Sequence, residues 1–154
     1  MSELVKQPSS AMCFVCGREN PVGLHVHFSV DEKNRVHTEF TPRVEHQGSP
    51  GIMHGGLIAT LFDEAIGRAA IAHNFWSVTA ELTVRYTKPV PIGEPLRLMS
   101  HVVEMKARVL KGRAAIHSVR DNILLAEAEG VFVRISEERR REMEANGLLD
   151  WRVA

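Results

Sequence analysis

The feature that most constrains the fold is one apolar-rich segment, residues 54–74, which lies between two groups of strand-like segments. It contains no proline, and its Ala, Leu and Ile residues fall on nearly every side of a helical projection. Such a pattern is typical of a helix that is buried on most sides. Gly67, near the middle, costs about 1 kcal/mol relative to Ala, a cost that close packing of another backbone would justify. We therefore predict one long buried helix over residues 54–74.

The segments on either side of this helix alternate between apolar and polar residues, which is typical of half-buried strands. Before the helix, residues 24–30 and 35–40 alternate around a polar turn and predict a hairpin. After the helix, the predicted strands are 77–88, 96–106, 109–120 and 123–135. Ser136 is predicted to cap a short final helix, which Gly147 would end.

The order of two strands, one helix and four strands favours an α+β fold over alternating β-α-β units. We expect an antiparallel sheet that wraps around the central helix and buries its whole circumference. The 154 residues suit one domain, 1–154. Within it, residues 1–12 are predicted to be poorly ordered and residues 136–154 to form a C-terminal helical extension.

The charge balance excludes some classes of partner. Lys and Arg number 19 and Asp and Glu number 19, so the chain as a whole has no electrostatic reason to bind nucleic acid or an anionic membrane. No apolar run reaches membrane-spanning length, and the first ten residues lack the apolar centre of a signal peptide. Two cysteines do not make a disulfide framework. These features predict a cytoplasmic protein.

Two adjacent carboxylates, Asp63 and Glu64, lie near the middle of the apolar helix. A buried carboxylate costs free energy unless it is paired or faces a cavity. Glu64 and Arg68 have the i,i+4 spacing of a helical ion pair, which leaves Asp63 without a partner on the helix. Asp63 is therefore either a catalytic group or a structural one that bonds to backbone or to another subunit.

The tripeptide His54-Gly55-Gly56 lies at the predicted start of the helix. Unpaired N–H groups there stabilise negative charge, and glycine lets a ligand approach the backbone closely. These are the properties of an oxyanion hole, although a flexible entry to the helix would have the same residues. Asp63 is nine residues after His54, so one regular helix cannot bring both to one carbonyl group. A two-fold dimer would combine them.

Three sequence blocks together resemble the hotdog-fold thioesterases of the PaaI-like (phenylacetate-pathway) superfamily. The first block is HGGLIATLFDEA at residues 54–65. The second is TAELTVRY at 79–86 with PVPIG at 89–93, and the third is CFVCG at 13–17 with NPVGL at 20–24. The resemblance covers residues 13–135.

This resemblance implies a hotdog dimer, often paired into a tetramer, that hydrolyses an acyl-CoA at the dimer interface. No cofactor is implied beyond the coenzyme A of the substrate. Asp63 would be the nucleophile or the general base, and the Gly55 N–H, with Gly56, would hold the thioester oxygen. Thr79 would help to place the water, and His54 would orient the loop or the substrate carbonyl.

One position departs from the family pattern. Many relatives carry a polar side chain, often Asn, six residues before the histidine, where this chain has Gly48. Gln47 or His46 would then have to supply the contact to the substrate. Glu64 is also expected to contact the substrate. Arg85 is a candidate for the CoA phosphates, although a solvated strand face explains it equally well.

Cys13 and Cys16 have a spacing seen in zinc and redox sites, and on paper His25 and His27 could complete a metal site. A second cysteine pair, or a histidine pair at finger spacing, is absent from the sequence. We therefore expect structural cysteines and no metal ligands.

Two other functions stay open at this point. The first is a hotdog dehydratase or hydratase that acts on a 3-hydroxyacyl or enoyl thioester, with His46 and Glu64 as its acid–base pair. The second is a non-enzymatic acyl-CoA binding protein. Hydration of an enoyl-CoA without thiol release would indicate the first, and tight binding without turnover would indicate the second.

Overall fold

The computed structural model describes residues 3–146. The elements are β1 (Val5–Lys6), β2 (Ser29–Val30), β3 (Val36–Phe40), α1 (Gly55–Ala72), β4 (Ser77–Tyr86), β5 (Leu96–Met105), β6 (Val109–Ser118), β7 (Leu124–Arg134) and α2 (Glu137–Ala145). A 3-10 turn, Val44–His46, lies in the connection before α1. The strands form one seven-stranded antiparallel sheet in the order β1-β2-β3-β5-β6-β7-β4.

Helix α1 lies across one face of the sheet, against strands β3 to β7. The buried Ser100 hydroxyl of β5 donates a hydrogen bond to the Ala65 carbonyl at 2.6 Å, which fastens the helix to the sheet. The helix residues that are buried on this side are Ile58, Leu61, Phe62, Ala65, Ile66, Ala69 and Ala70.

The sheet does not bury the whole circumference of α1, and that prediction was wrong for a single chain. One stripe of the helix stays half-buried or exposed, and its members recur every three or four residues: Gly56, Thr60, Asp63, Gly67 and Ile71. Residues at this spacing lie on one face of a helix. A Cβ added at Gly67 would meet only Phe132, at an ordinary 3.7 Å, so within residues 3–146 no backbone from outside α1 packs closely there.

The N-terminal segment covers another side of α1. Strand β1 pairs with β2, and the chain then crosses the helix at the buried Arg68, which donates to the Pro8 carbonyl at 2.7 Å. The Gln7 side chain donates to the Arg68 carbonyl at 3.2 Å. Residues 1–12 were predicted to be poorly ordered. The contacts described above do not measure order, so this stays a prediction.

The predicted strands after the helix match β4 to β7 to within two residues at each end. The segment 24–30 does not match, because only Ser29–Val30 joins the sheet. His25 has a positive φ of 55°, which interrupts the extended run. The Leu24 and Val26 N–H groups instead donate to the carbonyls of Phe14 and Val15.

Helix α2 begins as predicted, since the Ser136 hydroxyl accepts a hydrogen bond from the Arg139 N–H at 3.1 Å. Its last residue is Ala145, and the predicted stop at Gly147 lies outside the described residues. Across residues 3–146, no helix combines the length and the apolar character needed to cross a membrane.

Candidate active site

The start of α1 presents one uncommitted backbone donor. His54 is the N-cap, and its Nδ1 accepts a hydrogen bond from the Gly56 N–H at 2.9 Å. In the neutral ring the proton is then on Nε2. The Gly55 N–H has no acceptor within residues 3–146. Of the two glycine N–H groups expected to hold the thioester oxygen, the structure therefore leaves Gly55 available and commits Gly56 to His54.

A cavity of about 810 Å³ opens at this end of the helix. His54 and Gly55 line it together with residues of the connection after β4, including Lys88 and Val90. Tyr86, at the end of β4, donates its hydroxyl hydrogen to the Gly55 carbonyl at 2.7 Å. The sequence analysis missed Tyr86, because nothing in the local pattern indicates a contact between residues that are 31 positions apart.

Gln47 and His46 occupy different environments. Gln47 lines the cavity beside His54, and its side-chain oxygen accepts from the Gly51 N–H at 2.7 Å. His46 is buried and stacks near Phe40, with ring centroids 5.4 Å apart. Burial lowers the pKa of His46, so its ring stays neutral.

His46 supports the loop rather than lining the cavity. Its Nδ1 accepts from the Arg43 N–H at 2.9 Å, and its carbonyl accepts from the His54 N–H at 2.8 Å. Gly48 packs against His54, since a Cβ at position 48 would lie 3.1 Å from the His54 Cα. A side chain at position 48 would therefore require His54 to shift by a few tenths of an ångström.

Asp63 faces a second cavity, of about 510 Å³. The Thr79 hydroxyl of β4 donates to Asp63 Oδ1 at 2.5 Å. Within residues 3–146 no hydrogen bond engages Oδ2, so one carboxylate oxygen is positioned and the other stays available. The apolar part of the lining is large and comes from α1, β4, β7, α2 and residues that flank these strands: Ile71, Trp76, Val78, Phe132, Ile135 and Met143.

Glu64 forms the predicted ion pair with Arg68, with Oε1 2.9 Å from the guanidinium Nε. It lines the Asp63 cavity, whereas His46 lines neither that cavity nor the one at the helix start. The two cavities beside α1 therefore give no support to the acid–base pair of His46 and Glu64 that the hydratase alternative requires.

The two cysteines lie beside Glu64 and are both free thiols. Cys13 Sγ is 3.6 Å from Glu64 Oε2. The hydrogen bond from the Cys13 thiol lowers the pKa of Cys16 to about 6. The same bond, burial and the Glu64 charge raise the pKa of Cys13 far above its usual range.

Arg85 is not brought to either cavity beside α1. It lies on the outer face of the sheet, where its guanidinium is 3.4 Å from the carboxylate of Glu127 on β7. Both side chains are largely exposed, and an exposed pair of this kind contributes little to stability. Its predicted contact with the CoA phosphates has no support from this position.

Gly55 and Asp63 are too far apart to act on one carbonyl group from the same chain. They are separated by eight residues of regular helix, or about 12 Å at 1.5 Å per residue. Each chain thus carries one half of the predicted site at the helix start and the other half near the helix centre.

The fold and the two half-sites together define a hotdog domain, and the comparisons with known proteins agree. The family model described as Thioesterase superfamily matches residues 50–124. One solved structure, of a thioesterase superfamily protein, superposes with a TM-score of 0.75 at 30% identity, covering 79% of this chain and 59% of the other. The chain has the hotdog fold, and its residues 50–124 are similar to the thioesterase superfamily.

Two further relatives are informative. Acyl-coenzyme A thioesterase THEM4 of Mus musculus is 30% identical over 135 residues, which cover 87% of this chain and 58% of the mouse protein. The chain therefore spans a little over half of that relative's length. The PaaI protein of the phenylacetic acid degradation operon in E. coli is 18% identical, with a TM-score of 0.68, and the match covers 73% and 81% of the two chains.

Proposed function

We propose that this protein hydrolyses a small-molecule acyl-CoA thioester to the free acid and coenzyme A, as a cytoplasmic enzyme that uses no added cofactor in this reaction. The observation that carries the proposal is the Asp63 carboxylate, which Thr79 holds by one oxygen and which lines a cavity with a large apolar part. The mouse relative that carries the name acyl-coenzyme A thioesterase supports the substrate class.

The active unit is a two-fold dimer, because only a second chain can bring Gly55 and Asp63 together. The uncovered stripe on α1 supports this proposal, since its two glycines let another helix approach closely. Strand β4 is at the end of the sheet order, so one of its edges has no partner strand within the described residues. Val78 and Tyr86 on this strand are exposed apolar residues, which dimerisation would bury.

The contacts of β4 also suggest the register of the dimer. Thr79 bonds Asp63 and Tyr86 bonds Gly55. If β4 pairs antiparallel with its copy about an axis near residues 82–83, Thr79 lies opposite Tyr86 of the partner subunit. That arrangement sets the Asp63 half-site of one chain beside the Gly55 half-site of the other. Pairing of such dimers into a tetramer stays a prediction.

In this composite site the Gly55 N–H of one chain binds the thioester carbonyl oxygen, on which negative charge develops during attack. His54 also lines the cavity at the helix start, and its Nε2–H is the second donor in this proposal. Asp63 of the other chain attacks the carbonyl carbon or removes a proton from the attacking water. The thiolate of coenzyme A is a good leaving group, so the reaction needs no strong general acid.

The acyl group occupies the cavity beside Asp63. Its volume of about 510 Å³ and its aliphatic and aromatic lining suit an aryl or medium-chain acyl group better than an acetyl group. Met143 of α2 forms part of that lining, so the C-terminal helix contributes to acyl-chain selection.

The test is release of free thiol from aryl-, short- and medium-chain acyl-CoAs by the wild type and by Asp63→Asn. We expect the wild type to release thiol and the variant to be slower by about 10²–10⁴, the usual contribution of a positioned acid or base. Asp121→Asn, in an exposed turn, is the matched control and should retain the wild-type rate. No release from any thioester, or equal release by wild type and Asp63→Asn, would refute the proposal.

A further inference from the structure

Residues 13–17 form a tight turn that brings the two cysteines to one side. The Gly17 N–H donates to the Cys13 carbonyl at 2.8 Å, and the Ser10 hydroxyl accepts from the Cys13 N–H at 3.2 Å. A Cβ at Gly17 would lie 2.6 Å from the Cys13 nitrogen, so only glycine permits this turn. The sequence CFVCG therefore encodes a preformed pair of thiols.

A third donor comes from α1 and was not visible in the sequence. The sulfur atoms of Cys13 and Cys16 and one carboxylate oxygen of Glu64 all lie within 4.8 Å of one another. The candidates weighed from the sequence, His25 and His27, are not part of this group among the described residues. His25 instead bonds the Asn20 carbonyl.

The spacing of these atoms suits a tetrahedral zinc site. With Zn–S near 2.3 Å and Zn–O near 2.0 Å, the edges of the tetrahedron are about 3.8 Å between sulfurs and about 3.5 Å between sulfur and oxygen. The observed separation of Cys13 Sγ from Glu64 Oε2 is 3.6 Å. The remaining pairs are no more than 4.8 Å apart, so shifts of about 1 Å complete the geometry.

The charges also balance around a divalent cation. Two thiolates and the Glu64 carboxylate carry three negative charges, and the buried Arg68 guanidinium, which holds the other Glu64 oxygen at 2.9 Å, supplies one positive charge. A divalent cation neutralises the remaining two. Thiolate ligands favour Zn²⁺ over Mg²⁺ or Ca²⁺.

We propose that Cys13, Cys16 and Glu64 bind one Zn²⁺ ion, with a water molecule as the fourth ligand. The ion joins the N-terminal turn to the middle of α1, one residue away from Asp63, and therefore acts as a structural clamp. The ion takes no part in the proposed hydrolysis, although Glu64 also lines the Asp63 cavity, and the test below does not depend on the proposed activity.

The test uses full-length protein that has been reduced, stripped with a chelator and kept anaerobic, and then titrated with Co²⁺. We expect thiolate-to-cobalt charge-transfer absorption that saturates at one ion per chain and disappears when Zn²⁺ is added. Cys16→Ser should abolish the absorption. Glu64→Gln, which keeps both thiols, should weaken Co²⁺ binding at least tenfold, whereas Glu19→Gln, an exposed change on the same segment, should not.

Thermal unfolding gives a second readout that does not depend on the absorption of bound Co²⁺. Zn²⁺ at a hundred times its dissociation constant should raise the Tm of the wild type by about 5–10 °C and leave that of Cys16→Ser unchanged. Circular dichroism verifies that each variant is folded before titration. The proposal is overturned if reduced wild type shows neither absorption nor a Tm shift, or if Glu64→Gln binds Co²⁺ as tightly as the wild type. Formation of a Cys13–Cys16 disulfide in place of metal binding would also overturn it.

Discussion

Gly55 and Gly56 are adjacent and chemically identical, yet the His54 ring gives them different roles. Because His54 Nδ1 accepts the Gly56 N–H, the Gly55 N–H is the one of the two that has no acceptor within residues 3–146. The sequence could indicate a donor at the helix start, but it could not indicate which glycine provides it. That choice depends on the side-chain rotation of His54, which no sequence pattern encodes.

Removing the Gly55 N–H should impair catalysis without unfolding the chain. Proline lacks the N–H and is tolerated at the first position of a helix. His54 has φ −59° and ψ 128°, which is the extended conformation that a residue before proline requires. We expect Gly55→Pro to lower kcat by about 10²–10³, the cost of one oxyanion-hole donor.

The control for this variant is Gly55→Ala, which adds a Cβ but keeps the N–H. That Cβ would lie 3.4 Å from the Tyr86 ring, an ordinary contact, so most of the activity should survive. Thiol-release kinetics and far-UV circular dichroism on both variants separate the two effects. Equal loss of activity in Gly55→Ala and Gly55→Pro would show that space rather than the N–H matters.

Thr79 should act by positioning Asp63. We expect Thr79→Val, which removes the hydroxyl but keeps the shape, to lower kcat about tenfold with little change in KM. Thr79→Ser should restore the rate, and Thr41→Val, an exposed change that lies outside both cavities beside α1, should have no effect. Steady-state kinetics of the three variants provide the measurement; a change confined to KM would place Thr79 in substrate binding instead.

Interactions between residues that are close in the sequence were predicted correctly. The i,i+4 pair of Glu64 and Arg68 is confirmed, because helical spacing determines it. Asp63 was identified as the unusual polar group of the helix, and it does face a cavity. Tyr86 and the contact of Glu64 with Cys13 were missed, since both join residues that only the tertiary fold brings together.

For the strands, the alternation of apolar residues predicted which side chains are buried better than it predicted which segments pair in the sheet. Leu24, Val26 and Phe28 are buried as the period of two predicts. Their segment nevertheless leaves the sheet, because the CFVCG turn supplies the hydrogen-bond acceptors at Phe14 and Val15. Side-chain periodicity indicates which face of a segment is buried. It contains no information on which other segment forms hydrogen bonds with its backbone.

The hairpin of β2 and β3 depends on the carboxylate of Asp31, whose side chain is almost fully buried. Asp31 accepts hydrogen bonds from the Arg35 and His37 side chains at 2.7 and 2.8 Å and from the Lys33 and Arg35 N–H groups. Burial alone would raise the pKa of Asp31, but these bonds outweigh it and hold the pKa well below its usual range.

The pKa of Asp31 is lower in the folded state than in the unfolded state, where it is about 3.9. The Asp31 carboxylate therefore stabilises the fold at pH values above about 3.9, and this stabilisation is lost as the pH falls further. We expect Asp31→Asn to lower the free energy of unfolding by about 1–3 kcal/mol at pH 7. The difference from the wild type should shrink below about pH 4. Urea unfolding at pH 7 and pH 3 measures it, with the exposed neighbour change Glu32→Gln as control; a difference that grows in acid would contradict this role.

At the scale of the whole molecule, one chain is half of the proposed enzyme. The helix length already indicated from the sequence that His54 and Asp63 cannot meet at one carbonyl group within a chain. The structure adds the surfaces that a second chain would cover, namely the uncovered stripe of α1 and the free edge of β4. The prediction of a helix buried on every side was wrong for the chain alone, since the apolar pattern does not distinguish burial within a chain from burial between chains.

The composite site predicts complementation between two inactive variants. In a heterodimer of Asp63→Asn and Gly55→Pro chains, one site combines the intact Gly55 of the first chain with the intact Asp63 of the second. The other site combines both defects. Each heterodimer therefore keeps one working site out of two.

The most direct measurement is the rate of thiol release by such heterodimers, produced by co-expression with two different affinity tags and purified through both. If the site is shared between chains, the heterodimer should recover about half of the wild-type rate per dimer, while each parent variant alone stays inactive. If the heterodimer is as inactive as its parents, Gly55 and Asp63 do not act together across a subunit interface.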